Sequence, residues 1–173
     1  QLTWREEVAL VYDLASLDVV QEFAYQGEGW GLCFDGASLW MSNGTDQLIQ
    51  RNPNTFESIT TVNVTLDGRA VHNLNELECH NDRVWANVWM TDFVVVIEPA
   101  TGEVVARIDA SALRQSLDPG TGAEVLNGTA FDPRIGAMVM TGKYWPAMFV
   151  VDFEPCTGAC VPASFPYPAP PQE

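Results

Sequence analysis

Three indoles, two or three side-chain amides and one lysine are the groups in this sequence best suited to gather around a ligand. They are Trp4, Trp30 and Trp89; Asn75, Asn127 and Asn43; and Lys143, the one lysine among 8 basic residues. Indole faces grip a small amphipathic body while amides and an ammonium fix its polar ends. Such a set suits a small ligand or the end of a peptide. Each residue also has a plainer use. Tryptophan packs sheet against sheet, asparagine caps turns, and a lysine can simply solvate the end of a strand. Trp40 and Trp85, which fall at matched positions of a repeat, are read as packing residues only.

Familiar catalytic signatures are missing. There is no Gly-x-Ser-x-Gly, phosphate loop, His-Glu-x-x-His or EF-hand loop. Gly27-Glu-Gly-Trp-Gly31 is glycine-rich but has neither the spacing nor the following helix of a dinucleotide loop. His72 and His80 are the 2 histidines. Cys79-His80 could begin a metal site, but no second close pair completes one, so both histidines are placed on the surface or in the core.

A repeat supplies the elements that would bring the indoles together. Gly31-Leu-Cys-Phe-Asp-Gly-Ala-Ser-Leu-Trp40, Glu76-Leu-Glu-Cys-His-Asn-Asp-Arg-Val-Trp85 and Thr129-Ala-Phe-Asp-Pro-Arg-Ile-Gly-Ala-Met138 each read as an alternating strand, a polar turn and a second strand. The leading strands recur 45 and 53 residues apart. The first two continue through Gly44–Pro53 and Met90–Pro99 into a third strand. A turn and a fourth strand follow, Glu57–Val64 or Glu103–Ile108. Short period-2 strands repeating at this length are the pattern of β-propeller blades, which must stack to bury both faces. The fold class is therefore all-β, with Ser111–Leu117 the one short helix expected.

Residues 1–26 supply the end of a second strand, a third strand at Val8–Asp13 and a fourth at Val19–Tyr25. The last repeat, Leu126–Phe153, has three strands. About three and a half blades result, fewer than the roughly four that close a propeller. The expectation is a partial propeller over residues 1–154, the C-terminal part of something longer or one half of a nicked protein. An open stack would leave raw strand edges. In a four-stranded meander the start of strand one and the end of strand two share a face of the propeller. That face would collect Trp30, Asn75 and Asn127 from strand-one starts, and Trp4, Asn43, Trp89 and Lys143 from strand-two ends. Residues 155–173, a Pro/Cys-containing tail with six of the 11 prolines, are expected to lie extended.

Composition excludes other classes. The 173 residues are 47% hydrophobic with 23 acidic side chains and a net charge of -15, a field that repels phosphate backbones and excludes nucleic acid as a partner. No apolar run is long enough to span a membrane as a helix. Four cysteines (Cys33, Cys79, Cys156, Cys160) allow three pairings, one of them Cys33–Cys79 beside a tight Cys156–Cys160 loop. Sequons stand at Asn43, Asn63 and Asn127. Together these favour a secreted or periplasmic protein, and the start at Gln1 on strand-like sequence suggests that something upstream was removed or left out.

Six ordered segments carry a resemblance. Gln1-Leu-Thr-Trp4, Gly29-Trp-Gly31, Leu74-Asn-Glu-Leu-Glu78, Val84–Trp89 followed by Thr91-Asp92, Val125-Leu-Asn-Gly128 and Thr141-Gly-Lys-Tyr-Trp-Pro146 closely resemble the glutamine cyclotransferases. These are the plant and bacterial glutaminyl-peptide cyclases, five-bladed propellers. The resemblance implies conversion of an N-terminal glutamine to pyroglutamate with release of ammonia, with no cofactor or metal. N-terminal glutaminyl peptides would be the partners, and the N-terminal blades could be supplied as a separate chain. It implies Trp4, Trp30 and Trp89 as the aromatic cage, Asn75 as a polar substrate contact and Lys143 as a charged member of the site. Glu76 would orient Asn75, share the transferred proton or serve as a buried structural carboxylate. The family's acid lies in a Phe-Gly-Glu-Gly-Leu segment that this sequence does not contain. Gly27-Glu28-Gly29 only superficially resembles it, and Glu28 is not read as the catalyst. Two alternatives stand beside the enzyme: a non-catalytic propeller module that binds peptide termini or a protein partner, and an incomplete fragment that closes by pairing with a second copy.

Overall fold

The structure is a computed structural model that describes residues 1–154; the expected tail 155–173, with Cys156 and Cys160, lies outside the described residues. Four sheets, antiparallel but for one parallel pair in the third, follow one another along the chain. The first pairs β1 (Val8–Tyr12) with β2 (Val19–Ala24), and Leu2 adds a single bridge to Ala9. The second is the meander β3 (Gly31–Phe34), β4 (Leu39–Ser42), β5 (Gln47–Arg51) and β6 (Ser58–Asn63). A small hairpin, β7 (Thr65–Leu66) and β8 (Arg69–Ala70), leads into the third meander. That meander is β9 (Leu74–His80), β10 (Arg83–Val88), β11 (Phe93–Glu98) and β12 (Glu103–Asp109). The chain then passes through α1 (Ser111–Gln115) to the fourth sheet: β13 (Leu126–Asp132), β14 (Ala137–Gly142) and β15 (Phe149–Val151).

These sheets are propeller blades, and alternation in each strand decides what lies between them. Cys33, Trp40 and Leu48 of the second sheet meet Leu77, Val84, Ala86, Val95 and Ile97 of the third in one buried cluster. Val94 of the third meets Leu126, Met140 and Trp145 of the fourth in another, with Trp85 packed against it. Ala9 and Tyr25 of the first meet Met41 and Phe56 of the second. Trp40 and Trp85 thus serve successive interfaces from equivalent places, as their matched positions in the repeat require. β11 is buried along Val94–Ile97, as a strand covered on both faces should be. The fourth strands β2 and β6 are largely exposed.

Innermost strands are joined covalently and by close approach. Cys33 on β3 and Cys79 on β9 form a disulfide, and His80 of β9 stacks on Phe131 of β13 at 3.8 Å. Gly31 leaves no room for a side chain, since a Cβ there would run into the Asn75 carbonyl of the next blade. One element departs from the sequence reading. The β7–β8 hairpin has no counterpart in that reading; β7 pairs in parallel with the outer edge of the third sheet, Thr65 beside Glu103. Two-residue strands carry too little alternation to register as a period.

Candidate functional site

Blade geometry places the loop ahead of strand one beside the loop after strand two, and main-chain hydrogen bonds hold the two together. Trp30 N–H donates to the Ser42 carbonyl at 3.1 Å, Trp89 N–H to Asn73 at 2.9 Å, and Gly29 N–H to the Trp4 carbonyl at 3.0 Å. Lys143 N–H donates to the Val125 carbonyl at 2.9 Å, and its own carbonyl accepts from Glu124 N–H at 2.9 Å. Ser42 Oγ donates to the buried Asn75 carbonyl at 2.5 Å, fixing the start of β9 against the end of β4. Four separate stretches of sequence are thereby held around one mouth.

They surround a pocket of about 490 Å³ lined by Trp4, Arg5, Gly29, Trp30, Asn75, Trp89, Asn127 and Lys143. Trp30 and Trp89 meet edge to face with ring centroids 5.3 Å apart, a favoured arrangement of aromatic quadrupoles. Trp4 is more open, 56% exposed, and Arg5 lies over its ring at 4.1 Å. Asn75 is buried. Asn127 lines the pocket, and its Oδ1 is buried with no hydrogen-bond partner among the described residues.

The sequence-derived candidates divide clearly. Trp4, Trp30, Asn75, Trp89 and Lys143 share this pocket. Glu76 does not line it. Its carboxylate accepts the Thr129 N–H at 2.9 Å, and the residue lines an adjoining groove along β13. Burial pushes the Glu76 carboxyl up to about 7, opposed by the Thr129 hydrogen bond and reinforced by the nearby Glu78 charge. Glu78, two residues on, accepts Phe131 N–H in the same way at 3.2 Å. Both side chains therefore tie β9 to the facing backbone of β13. Asn43 is also outside the pocket: Oδ1 accepts from Thr45 N–H and Thr45 Oγ1, a turn-capping use of asparagine.

Two pocket neighbours had no role in the sequence reading. Arg5 carries a second cation to the mouth. Glu28 Oε2 accepts from the indole N–H of both Trp4 and Trp30, each at 2.7 Å. No single-sequence signal links residues that far apart without the fold. Among the described residues no group of three or more His, Cys, Asp or Glu side chains stands where it could hold a metal ion.

A family profile described as glutamine cyclotransferase matches residues 1–153. The chain belongs to the glutamine cyclotransferase family. It is 37% identical over 154 residues to a glutaminyl-peptide cyclotransferase of Arabidopsis thaliana, covering 87% of this chain and 48% of that relative. It therefore spans about half the length of the curated relative it matches. The crystal structure of Myxococcus xanthus glutaminyl cyclase superposes with a TM-score of 0.77 at 40% identity, covering 87% of this chain and 68% of that one. Within the glutamine cyclotransferase framework, three indoles, two amides and a lysine drawn from successive blades form one concave site.

Proposed function

We propose that the protein to which this chain belongs converts the N-terminal glutamine of peptides to pyroglutamate and releases ammonia. The observation that carries this reading is the convergence of Trp4, Trp30, Trp89, Asn75, Asn127 and Lys143 on one pocket in a glutamine cyclotransferase chain. In the reaction the α-nitrogen forms a bond to the side-chain carbonyl carbon, the bond from that carbon to the amide nitrogen breaks, and one proton passes from the amine to the departing ammonia. Glutamine must curl upon itself first. A rigid aromatic cage selects that folded shape, which lowers the entropic part of the barrier. Lys143 and the Asn75 amide stabilise the carbonyl oxygen as it turns negative.

The proton shuttle is assigned to the family's carboxyl in a Phe-Gly-Glu-Gly-Leu segment, which this sequence does not include. Glu76 stays a structural carboxylate in this scheme, because its oxygen is engaged by Thr129 outside the pocket. The disulfide between Cys33 and Cys79 supports a secreted or periplasmic setting, and the chemistry calls for no metal. The test is incubation of the full-length protein with a Gln-initiated peptide, reading ammonia and the loss of one ammonia in peptide mass. Turnover is expected. Binding of the peptide without turnover would favour the non-catalytic module instead.

A further inference from the structure

Glu28 sits at the junction of the two indoles contributed by the first and second blades. It leaves the end of β2 through Gly27, whose φ of 85° and whose N–H bond to Glu7 Oε1 at 2.7 Å turn the chain back toward the pocket. Gly29 follows, and it must be glycine because a Cβ there would strike the Tyr25 hydroxyl. Tyr25 in turn donates to the Thr3 carbonyl, so the segment bearing Glu28 is pinned beside the segment bearing Trp4.

Both carboxylate oxygens are engaged. Oε2 accepts the Trp4 and Trp30 indole N–H groups at 2.7 Å each, and Oε1 accepts Arg5 Nε at 3.2 Å. Arg5 closes the bracket by lying over the Trp4 ring at 4.1 Å. Trp30 then meets Trp89 edge to face at 5.3 Å. An indole has one polar handle, and fixing it sets the rotation of the whole ring. One carboxylate therefore sets the attitude of two cage walls, and the third wall packs against one of those two.

We propose that Glu28 is a positioning residue: its carboxylate holds the Trp4 and Trp30 rings in the orientation that accepts a folded glutaminyl end. The role is distinct from acid–base catalysis. The hydrogen bond from Trp30 leads the effects that hold the Glu28 carboxyl below the usual carboxylate range, with smaller ones from Trp4 and Arg5. Glu28 lies outside the pocket lining, and both of its oxygens are already engaged by Trp4, Trp30 and Arg5. The proposal rests on the glutaminyl-cyclisation reading for its substrate, while the ring bracket itself stands on geometry.

The experiment compares Glu28→Ala and Glu28→Gln in the full-length protein. Two readouts are used: near-ultraviolet circular dichroism of the indoles, and KM and kcat with a Gln-initiated peptide. Glu28→Ala should flatten the indole bands and raise KM about tenfold or more, with a smaller change in kcat, as loss of charge-assisted bonds to both rings implies. Glu28→Gln keeps an acceptor oxygen and should recover most of both signals. Wild-type bands and KM in Glu28→Ala would overturn the proposal, and so would equal damage in the two variants, which would point to charge and not to ring orientation. Should the wild-type protein fail to cyclise the peptide, the function reading falls, and the dichroism of the two variants still decides the bracket.

Discussion

Trp30, just ahead of β3, stands edge-on to Trp89, just past the end of β10, with ring centroids 5.3 Å apart. One residue opens a blade and the other closes the second strand of the next. Their meeting is possible only because adjacent blades place those two points on the same face. The contact is thus a direct product of the repeat, and the pocket that it walls inherits its shape from blade stacking.

Trp89→Ala and Trp85→Ala should separate binding from stability. Trp89 lines the pocket, so its loss should raise KM for a Gln-initiated peptide while the unfolding midpoint moves little. Trp85 packs into the cluster between the third and fourth blades and against Phe153 at 5.4 Å. Its truncation should lower stability by about 3 kcal/mol, near the bottom of the range for a core tryptophan, because the ring is only partly buried. Chemical denaturation and steady-state kinetics of both variants check this. Equal behaviour would show that the two indoles share one role.

Blade order was readable because period-2 alternation and matched turns, Asp35-Gly36 with Asn81-Asp82 and Asn54-Thr55 with Thr101-Gly102, recur in register. Trp4, Trp30, Asn75, Trp89 and Lys143 could be placed on one face by topology and by family resemblance, before any side-chain coordinates. Asn43 shows the limit of that logic. It sits at the right strand end, yet its amide turns back to cap Thr45. Glu28 shows the converse. Topology can bring its loop near Trp4, but two indoles sharing one carboxylate oxygen is a side-chain arrangement that no periodicity encodes. The partner of Glu76 was equally hidden: β9 sends Glu76 and Glu78 to the backbone of β13, while Leu77 and Cys79 face the second sheet.

Gly44→Ala should disturb the cage from behind. Gly44 has a φ of 80°, and a Cβ there would stand 2.6 Å from Trp30 Cε2 and Cζ2. The backbone cannot withdraw, because its N–H donates to Leu74 and its carbonyl accepts from Asn73. Left-handed strain should cost about 1–2 kcal/mol, and displacement of the Trp30 ring should weaken peptide binding as well. Thermal unfolding together with KM reports both effects. A variant with normal KM would show that Trp30 yields without affecting the pocket.

Cys33 and Cys79 close a loop with a sequence separation of 46 between the innermost strands of two blades. Chain-entropy reasoning assigns such a loop about 3–4 kcal/mol of stabilisation, acting on the unfolded state. The double substitution Cys33→Ala/Cys79→Ala should therefore unfold at markedly lower denaturant concentration, and reductant should lower the midpoint of the wild-type protein similarly but that of the variant far less. A midpoint unmoved by reductant would mean that blade packing alone supplies the stability.

Lys143 projects to the pocket from a strand end whose main chain is bonded to Val125 and Glu124, and it has no ion pair among the described residues. Lys143→Met should leave stability within about 0.5 kcal/mol. Turnover of a Gln-initiated peptide should fall tenfold or more, on the order expected for loss of a group that stabilises developing negative charge. An unchanged kcat would remove the lysine from the mechanism.

Glu76 should make the protein less stable as pH rises. In the unfolded chain its carboxyl ionises near 4.5, whereas burial in the folded protein pushes it up to about 7. Between those values the folded state holds a proton that the unfolded state has lost, so raising pH through this window removes stability. From pH 5 to pH 8 the loss attributable to this group is about 2–3 kcal/mol. Glu76→Gln retains an oxygen to accept the Thr129 N–H and cannot ionise, so that part of the pH dependence should vanish from it. Urea unfolding of wild type and variant at the two pH values gives the comparison. Parallel pH profiles would show that Glu76 ionises normally in the folded protein, with water or a shift of β13 relieving the buried charge.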